Sequence, residues 1–191
     1  FEQERASCFM RNSVKTLPYI WDCQPLAVLL INCCDVEFTD IRKCALTPRN
    51  ALHRKWGTAK RGRRSTCIAS FKKEWNERSF RLFAVASTQT GALIGFTGFS
   101  CPDFLPKVHP SVEIGWRLSK SSWGKGFASE AAAAALSFGV NELGITDIVS
   151  IYQLENGASA RIMQKLGMSF DRRTIDPTCE REVEVYRLPK Q

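Results

Sequence analysis

With 191 residues, the chain can bury one hydrophobic core and carry at most a small appendage. Its composition, 44% hydrophobic and 24% charged, excludes a fibrous or disordered class, and its longest early apolar run, Leu26 to Ile31, is far too short to span a bilayer. The formal net charge of +8 is local. Eleven of the 27 basic residues lie between Ile41 and Lys73, where there is no Asp or Glu, which leaves 16 basic against 19 acidic residues elsewhere. A ribosome or other acidic partner would therefore engage that segment alone.

No ordered charged region, apolar stretch and cleavage site is found, so no signal peptide is expected. Six of the eight cysteines (Cys8, Cys23, Cys33, Cys34, Cys44, Cys67) fall in the first third, none of them spaced Cys-x-x-Cys, and His53 and His109 are the sole imidazoles. No metal site is expected, and reduced thiols in a cytoplasmic protein are the simpler reading.

Residues 1–69 form a divergent N-terminal segment in which Cys, Pro and basic residues interrupt every period, with Lys55 to Arg64 as an exposed arm. Residues 70–191 are regular. Ser70 to Arg78 ends a helix. Phe80 to Ala86 and Ala92 to Ser100 are strands joined by a turn over Ser87 to Gly91, and Cys101 to Pro110, with three prolines, is a loop. Val112 to Leu118 alternates: Val112, Ile114, Trp116 and Leu118 face one side, Glu113, Gly115 and Arg117 the other.

A loop over Ser119 to Gly126 leads into a helix from Phe127 to Leu143, driven by Ala131 to Ala135 and closed by Gly144. Thr146 to Tyr152 is a β-branched strand. Asn156 caps a helix running to Leu166, with Gly167 beyond its end. Met168 to Ile175 and Glu182 to Leu188 make a closing hairpin around Asp176 and Pro177. Three strands, a helix, a strand, a helix and two strands give an α+β, mixed α/β sheet with a βαβ unit at its centre, read as one domain overall.

The segment Trp123-Gly-Lys-Gly-Phe-Ala-Ser-Glu130 sits where a strand hands over to a helix. Glycines there admit a ligand close to the backbone, and the free N–H groups of the first helical turn, with the helix dipole, favour phosphate oxygens. A plain strand–helix turn would look the same in isolation. Gly126 after Lys125 breaks the P-loop pattern, and Ser129 breaks the dinucleotide fingerprint.

Val112-Glu-Ile-Gly-Trp-Arg-Leu118, Trp123-Gly-Lys-Gly-Phe-Ala-Ser-Glu-Ala131, Asn156-Gly-Ala-Ser159 and Gln164-Lys-Leu-Gly-Met168 together resemble the GNAT N-acetyltransferases, nearest to the RimJ/RimL-like, ribosomal-protein-alanine branch. The resemblance spans residues 70–188. It implies the GNAT fold, a mostly antiparallel sheet with a V-shaped splay between two parallel strands, and acetyl transfer from acetyl-CoA to a primary amine without a metal.

By this resemblance, main-chain N–H groups of Gly124, Lys125, Gly126, Phe127, Ala128 and Ser129 hold the pyrophosphate, with Lys125 adding charge. Trp123 and Trp116 wall the cleft. The pantetheine pairs like an extra strand near Trp116 and Leu118. Gly115 suits a bulge there, or packing relief beside Trp116.

Glu113 is the candidate base, acting directly or through water, and the Trp116 N–H the candidate oxyanion donor; an ion-paired strand carboxylate is the other reading of Glu113. Met163 stands where many family members carry a tyrosine acid, so Ser159, four residues earlier, takes that role, with Tyr152 as the weaker alternative. Ser159 could instead bond only backbone. Asn156 serves as cap, as pantetheine contact, or as both.

The N-terminal third lacks the expected Arg-Leu-x-Leu-Arg first strand. The acceptor is expected to be a protein N-terminal α-amine or a small amine, and a homodimer is left open. Two rivals remain: an acyl-CoA-binding module without catalysis, and an RNA- or ribosome-associated protein using residues 41–73.

Overall fold

A computed structural model describes residues 27–32 and 82–190. The basic segment 41–73, its arm and the expected helix end at 70–78 lie outside the described residues. Among those described, seven strands form one sheet: β1 (Val28–Asn32), β2 (Leu82–Ser87), β3 (Leu93–Ser100), β4 (Val112–Leu118), β5 (Ile148–Gln153), β6 (Ser169–Asp176) and β7 (Arg181–Arg187), in the order β1-β2-β3-β4-β5-β7-β6. Helix α1 (Phe127–Asn141) joins β4 to β5, and α2 (Gly157–Lys165) follows β5. Every neighbouring pair is antiparallel except β4 and β5. This is the expected mixed architecture with a central βαβ unit.

The missing first strand is present as β1. It overlaps the apolar run noted at Leu26 to Ile31 and extends one residue beyond it, without the expected basic flanks, and pairs with β2 from Val28↔Ser87 to Asn32↔Phe83. Its start is fixed to α1, because the Val28 N–H donates to the Glu130 carboxylate at 3.0 Å. Among the described residues, two other boundaries shift by two residues, and several more by one: β5 begins at Ile148 rather than Thr146, and α1 ends at Asn141 rather than Leu143, ahead of Gly144 with φ +63°.

Both helices lie on one face of the sheet. Ala131, Ala135 and Gly139 recur every fourth residue along the buried side of α1. A Cβ on Gly139 would stand 2.3 Å from the Phe99 ring, so the glycine lets α1 settle directly on the sheet. Phe83, Phe99, Ile114, Ile148, Tyr152 and Met163 complete that core. Gly95 serves the same purpose within the sheet, since a Cβ there would meet the Arg117 carbonyl at 2.3 Å. On the opposite face, Val149, Ile151, Val183 and Val185 are covered by Leu105 and Val108 from the loop between β3 and β4.

Candidate active site

The site begins where the two parallel strands part. β4 and β5 pair only at Val112↔Ile148 and Glu113↔Val149. The closed end is clamped: the Val112 N–H donates to the Asp147 carbonyl at 2.9 Å, the Ser111 hydroxyl donates to the Asp147 carboxylate at 2.8 Å, and Arg187 ion-pairs with the same carboxylate. One residue past the last pair, the buried Ser150 hydroxyl donates to the Ile114 carbonyl at 2.9 Å. Beyond it β4 stays with β3, β5 stays with β7, and a gap opens.

Alternation along β4 decides what faces that gap. The main-chain groups of Val112 and Ile114 point toward β5, whereas the Gly115 carbonyl points toward β3 and accepts from Thr97 Oγ1 at 3.0 Å. The N–H and C=O of Trp116 therefore face the gap. So does the Leu118 carbonyl, but it already accepts from the Trp123 indole N–H at 2.9 Å. A strand-like ligand thus finds its main-chain partners at Trp116, with the expected pairing at Leu118 reduced to its N–H.

The gap widens into a cleft of about 300 Å³. Trp116, Leu118, Trp123, Gly124, Gly126, Phe127, Ala128, Ser129, Asn156 and Ser159 line it, so the structure brings together nearly all the residues singled out from sequence. Lys125 is exposed and does not line the cleft. Gly124 and Gly126 have φ of +74° and +82°, a conformation that a Cβ strains, and among the described residues a Cβ on either would meet nothing within 4 Å. The backbone entering α1 is therefore open to a ligand, and Gly126 begins the helix without a side-chain cap on its N–H groups. The cleft also takes in Arg161, Ile162 and Lys165 from α2, which sequence reading passed over because their place depends on how α2 is rotated.

At the amino end of α2, Asn156 is the cap: its Oδ1 accepts from the Ser159 N–H at 3.4 Å, and its Nδ2 donates to Ser159 Oγ at 2.8 Å. A hydroxyl that accepts this bond keeps its own proton for another acceptor. Tyr152 differs. It is buried outside the cleft lining and donates to Glu184 at 2.5 Å, and burial, reinforced by Glu184, raises its pKa further above the ordinary phenol value. Met163 is 1% exposed in the core.

Glu113 lies at the last β4–β5 pair, on the face away from α1 and α2, and is buried. Burial pushes its pKa from 4.5 up to about 8; the Ser100 hydroxyl, donating at 3.4 Å, opposes the shift and the buried Asp176 carboxylate adds to it. Gly115 neither bulges nor relieves packing. Its register with Gly98 is unbroken, and a Cβ on it would meet nothing within 4 Å among the described residues. Among the described residues, it leaves open space on the same face of β4 as Glu113.

Among the described residues, no three His, Cys, Asp or Glu side chains converge to hold a metal, and no helix is long and apolar enough to cross a membrane.

The family model described as "Acetyltransferase (GNAT) domain" matches residues 35–169, reaching well into the N-terminal segment. The uncharacterized N-acetyltransferase YoaA of Bacillus subtilis is 31% identical over 100 residues, which are 52% of this chain and 55% of that protein. The chain spans about half the length of the curated relatives it matches.

Solved structures share the fold at lower identity. A GNAT-family acetyltransferase from Bacillus anthracis has a TM-score of 0.65 at 23% identity, covering 86% of this chain and 96% of that one. A ribosomal-protein-S5-alanine acetyltransferase from Vibrio fischeri has 0.66 at 13%, covering 88% and 96%. A variant of the Vibrio cholerae spermidine N-acetyltransferase SpeG has 0.61 at 17%, covering 84% and 91%.

Proposed function

The chain belongs to the GNAT acetyltransferase family, and on that premise we propose that it transfers an acetyl group from acetyl-CoA to a primary amine, with a protein N-terminal α-amine as the acceptor. The observation that carries this reading is the cleft where β4 and β5 diverge, with the open glycine loop on one wall and Trp116 and Ser159 on the others.

The residues fit an acyl-coenzyme A. Uncapped N–H groups from Gly124 to Ser129 suit its diphosphate, and the Trp116 carbonyl and Leu118 N–H suit a strand-like pantetheine. The ligand supplies an activated acetyl thioester; the chain supplies the rest. The Trp116 N–H, which faces the gap, is the donor to a carbonyl oxygen gaining charge. The Ser159 hydroxyl, oriented by Asn156, is the donor to a departing thiolate. Glu113 accepts the proton of the incoming amine, and the space left by Gly115 on its face gives that amine a way in.

The acceptor follows from proton affinity. A base with a pKa of about 8 is matched to an α-amine, whose pKa is ~7.7–8.0. A lysine side chain at ~10.4 would need roughly 2.4 further units, or about 3.3 kcal/mol. The shared fold does not choose, since the neighbours named above include both a ribosomal-protein-alanine enzyme and a spermidine enzyme. The RimJ/RimL-like motifs favour the α-amine.

Titration calorimetry with coenzyme A, followed by turnover of acetyl-CoA against an amine panel, tests the proposal. Binding with turnover is expected. Binding without turnover on any amine would leave only a coenzyme A binding module.

A further inference from the structure

We propose that Ser100 is a positioning residue for Glu113: its hydroxyl holds one oxygen of the buried carboxylate and so fixes which oxygen the incoming amine meets; this rests on the reading of Glu113 as the base. Ser100, the last residue of β3, stands directly opposite Glu113 on β4. Residues paired in this way share a face, with Cβ atoms ~4.5–5.5 Å apart. On the face away from the helices, β3 sets Phe96, Gly98 and Ser100 against Arg117, Gly115 and Glu113. Of those three β3 residues only the serine has a side chain that donates a hydrogen bond, and its Oγ donates to Glu113 Oε2 at 3.4 Å. The terminal torsion of a glutamate is broad and roughly two-fold, so a carboxylate has little preference of its own for which oxygen turns toward β3. A donor on Oε2 supplies that preference.

The bond grows stronger in the state that does the chemistry. A hydroxyl donates a shorter and stronger bond to a carboxylate than to a neutral acid, and the hydrogen bonds of a resting catalytic site tighten as the reacting state forms. A length of 3.4 Å suits a Glu113 that holds its proton at neutral pH, and the contact shortens when that proton leaves. The electrostatics point the same way. Ser100 draws the Glu113 pKa down against the burial that raises it, while Asp176, at the end of β6, pushes it up. Arg117 shares this face of β4, and Val149, the partner of Glu113 on β5, carries no charge. Ser100 thus favours the ionised base and orients it with the same bond.

The test is kcat/KM for a peptide with a free N-terminus, from about pH 6 to 10, in the full chain and in its Ser100→Ala and Ser100→Thr variants, with coenzyme A affinity measured by calorimetry in each. Ser100 is half-buried at a strand end, so the fold should tolerate both changes. The wild-type rate should rise through about pH 8. In Ser100→Ala that rise should move to higher pH, with a loss of ~10-fold or more at neutral pH, the size of one hydrogen bond to a charged group, that shrinks as pH increases. Ser100→Thr, which keeps the hydroxyl, should return the rise to its wild-type position. Coenzyme A should bind all three alike. A Ser100→Ala profile that falls by one factor at every pH, without moving, would overturn the proposal, because the serine would then matter only to the fold. So would a Ser100→Thr profile that stays with Ser100→Ala. A wild-type profile with no rise across this range would overturn the reading of Glu113 as the base instead.

Discussion

The Ser150 hydroxyl donates to the Ile114 carbonyl at 2.9 Å, one residue beyond the last pair between β4 and β5. A side chain thus supplies the bond that the diverging main chain no longer makes, and the first carbonyl of the gap is satisfied before a ligand arrives. Removing it leaves a buried acceptor without its donor, which costs about 1–3 kcal/mol. Ser150→Ala should lower the melting temperature by several degrees. Ser150→Thr, which keeps the hydroxyl and suits a strand, should recover most of that loss. Equal melting of wild type and Ser150→Ala would show the bond to be dispensable.

Glu113 yields two opposite pH dependences. As a base it must be ionised, so kcat/KM should rise with pH through about 8, and Glu113→Gln should lose ~10²-fold or more and flatten that rise. For stability the sign reverses. The folded pKa lies above the ordinary value of 4.5, so the folded state holds a proton that the unfolded chain has lost. That stabilisation is complete below about 4.5 and disappears as pH rises through about 8. Measured against wild type, Glu113→Gln should therefore gain stability between pH 5 and 9, on the order of a few kcal/mol. Melting curves that stay parallel across this range would remove the buried-proton account.

Ser159 and Tyr152 separate by what each hydroxyl already does. Ser159→Ala should lower kcat by roughly 10²-fold with coenzyme A affinity nearly steady. Tyr152→Phe should keep kcat and lose about 1–3 kcal/mol of stability, because a buried Glu184 oxygen loses its donor. The reverse pattern in steady-state kinetics would transfer the donor role to Tyr152.

Much of this site is legible in the sequence because its signals are local. Strict alternation places Val112 to Leu118 without error, and Asn156 and Gly167 bracket α2. β1 is not legible as a sheet member. Its apolar run is visible, but its partner β2 lies some fifty residues along the chain, and no turn signal links them. The burial of Glu113, which is the main cause of its high pKa, and the smaller contribution of Asp176 both depend on tertiary packing over that face of the sheet. The Gly115 bulge expectation failed for a similar reason: glycine permits a bulge, but the pairing with β3 continues in register, and the missing side chain leaves room instead.

That room can be filled. Gly115 has no positive φ, so a β-branched residue suits its strand. Gly115→Val should raise the acceptor KM by ~10-fold or more, about 1.4 kcal/mol, with coenzyme A affinity unchanged, because the added methyls stand on the Glu113 face. An unchanged acceptor KM would place the amine's approach elsewhere.

The glycine loop is tested by Gly126→Ala. The positive φ makes any side chain strained there by about 1–2 kcal/mol, and the new methyl points into the open side of the loop. Coenzyme A binding should weaken ~10-fold in a variant whose circular dichroism is unchanged. Full affinity in that folded variant would remove the loop as the diphosphate site.

The central claim is acetyl transfer to an α-amine, and the most direct measurement is kcat/KM with acetyl-CoA for three acceptors: a peptide with a free N-terminus and no lysine, the same peptide N-terminally blocked but bearing a lysine, and a small polyamine. Free thiol released and acetyl groups gained, followed by mass spectrometry, give both sides of the reaction. The free N-terminus should be used best, with the acetyl group on the α-nitrogen. Preference for the blocked lysine peptide or the polyamine would contradict the acceptor assignment, and no acetyl gain on any of the three would contradict the transferase itself.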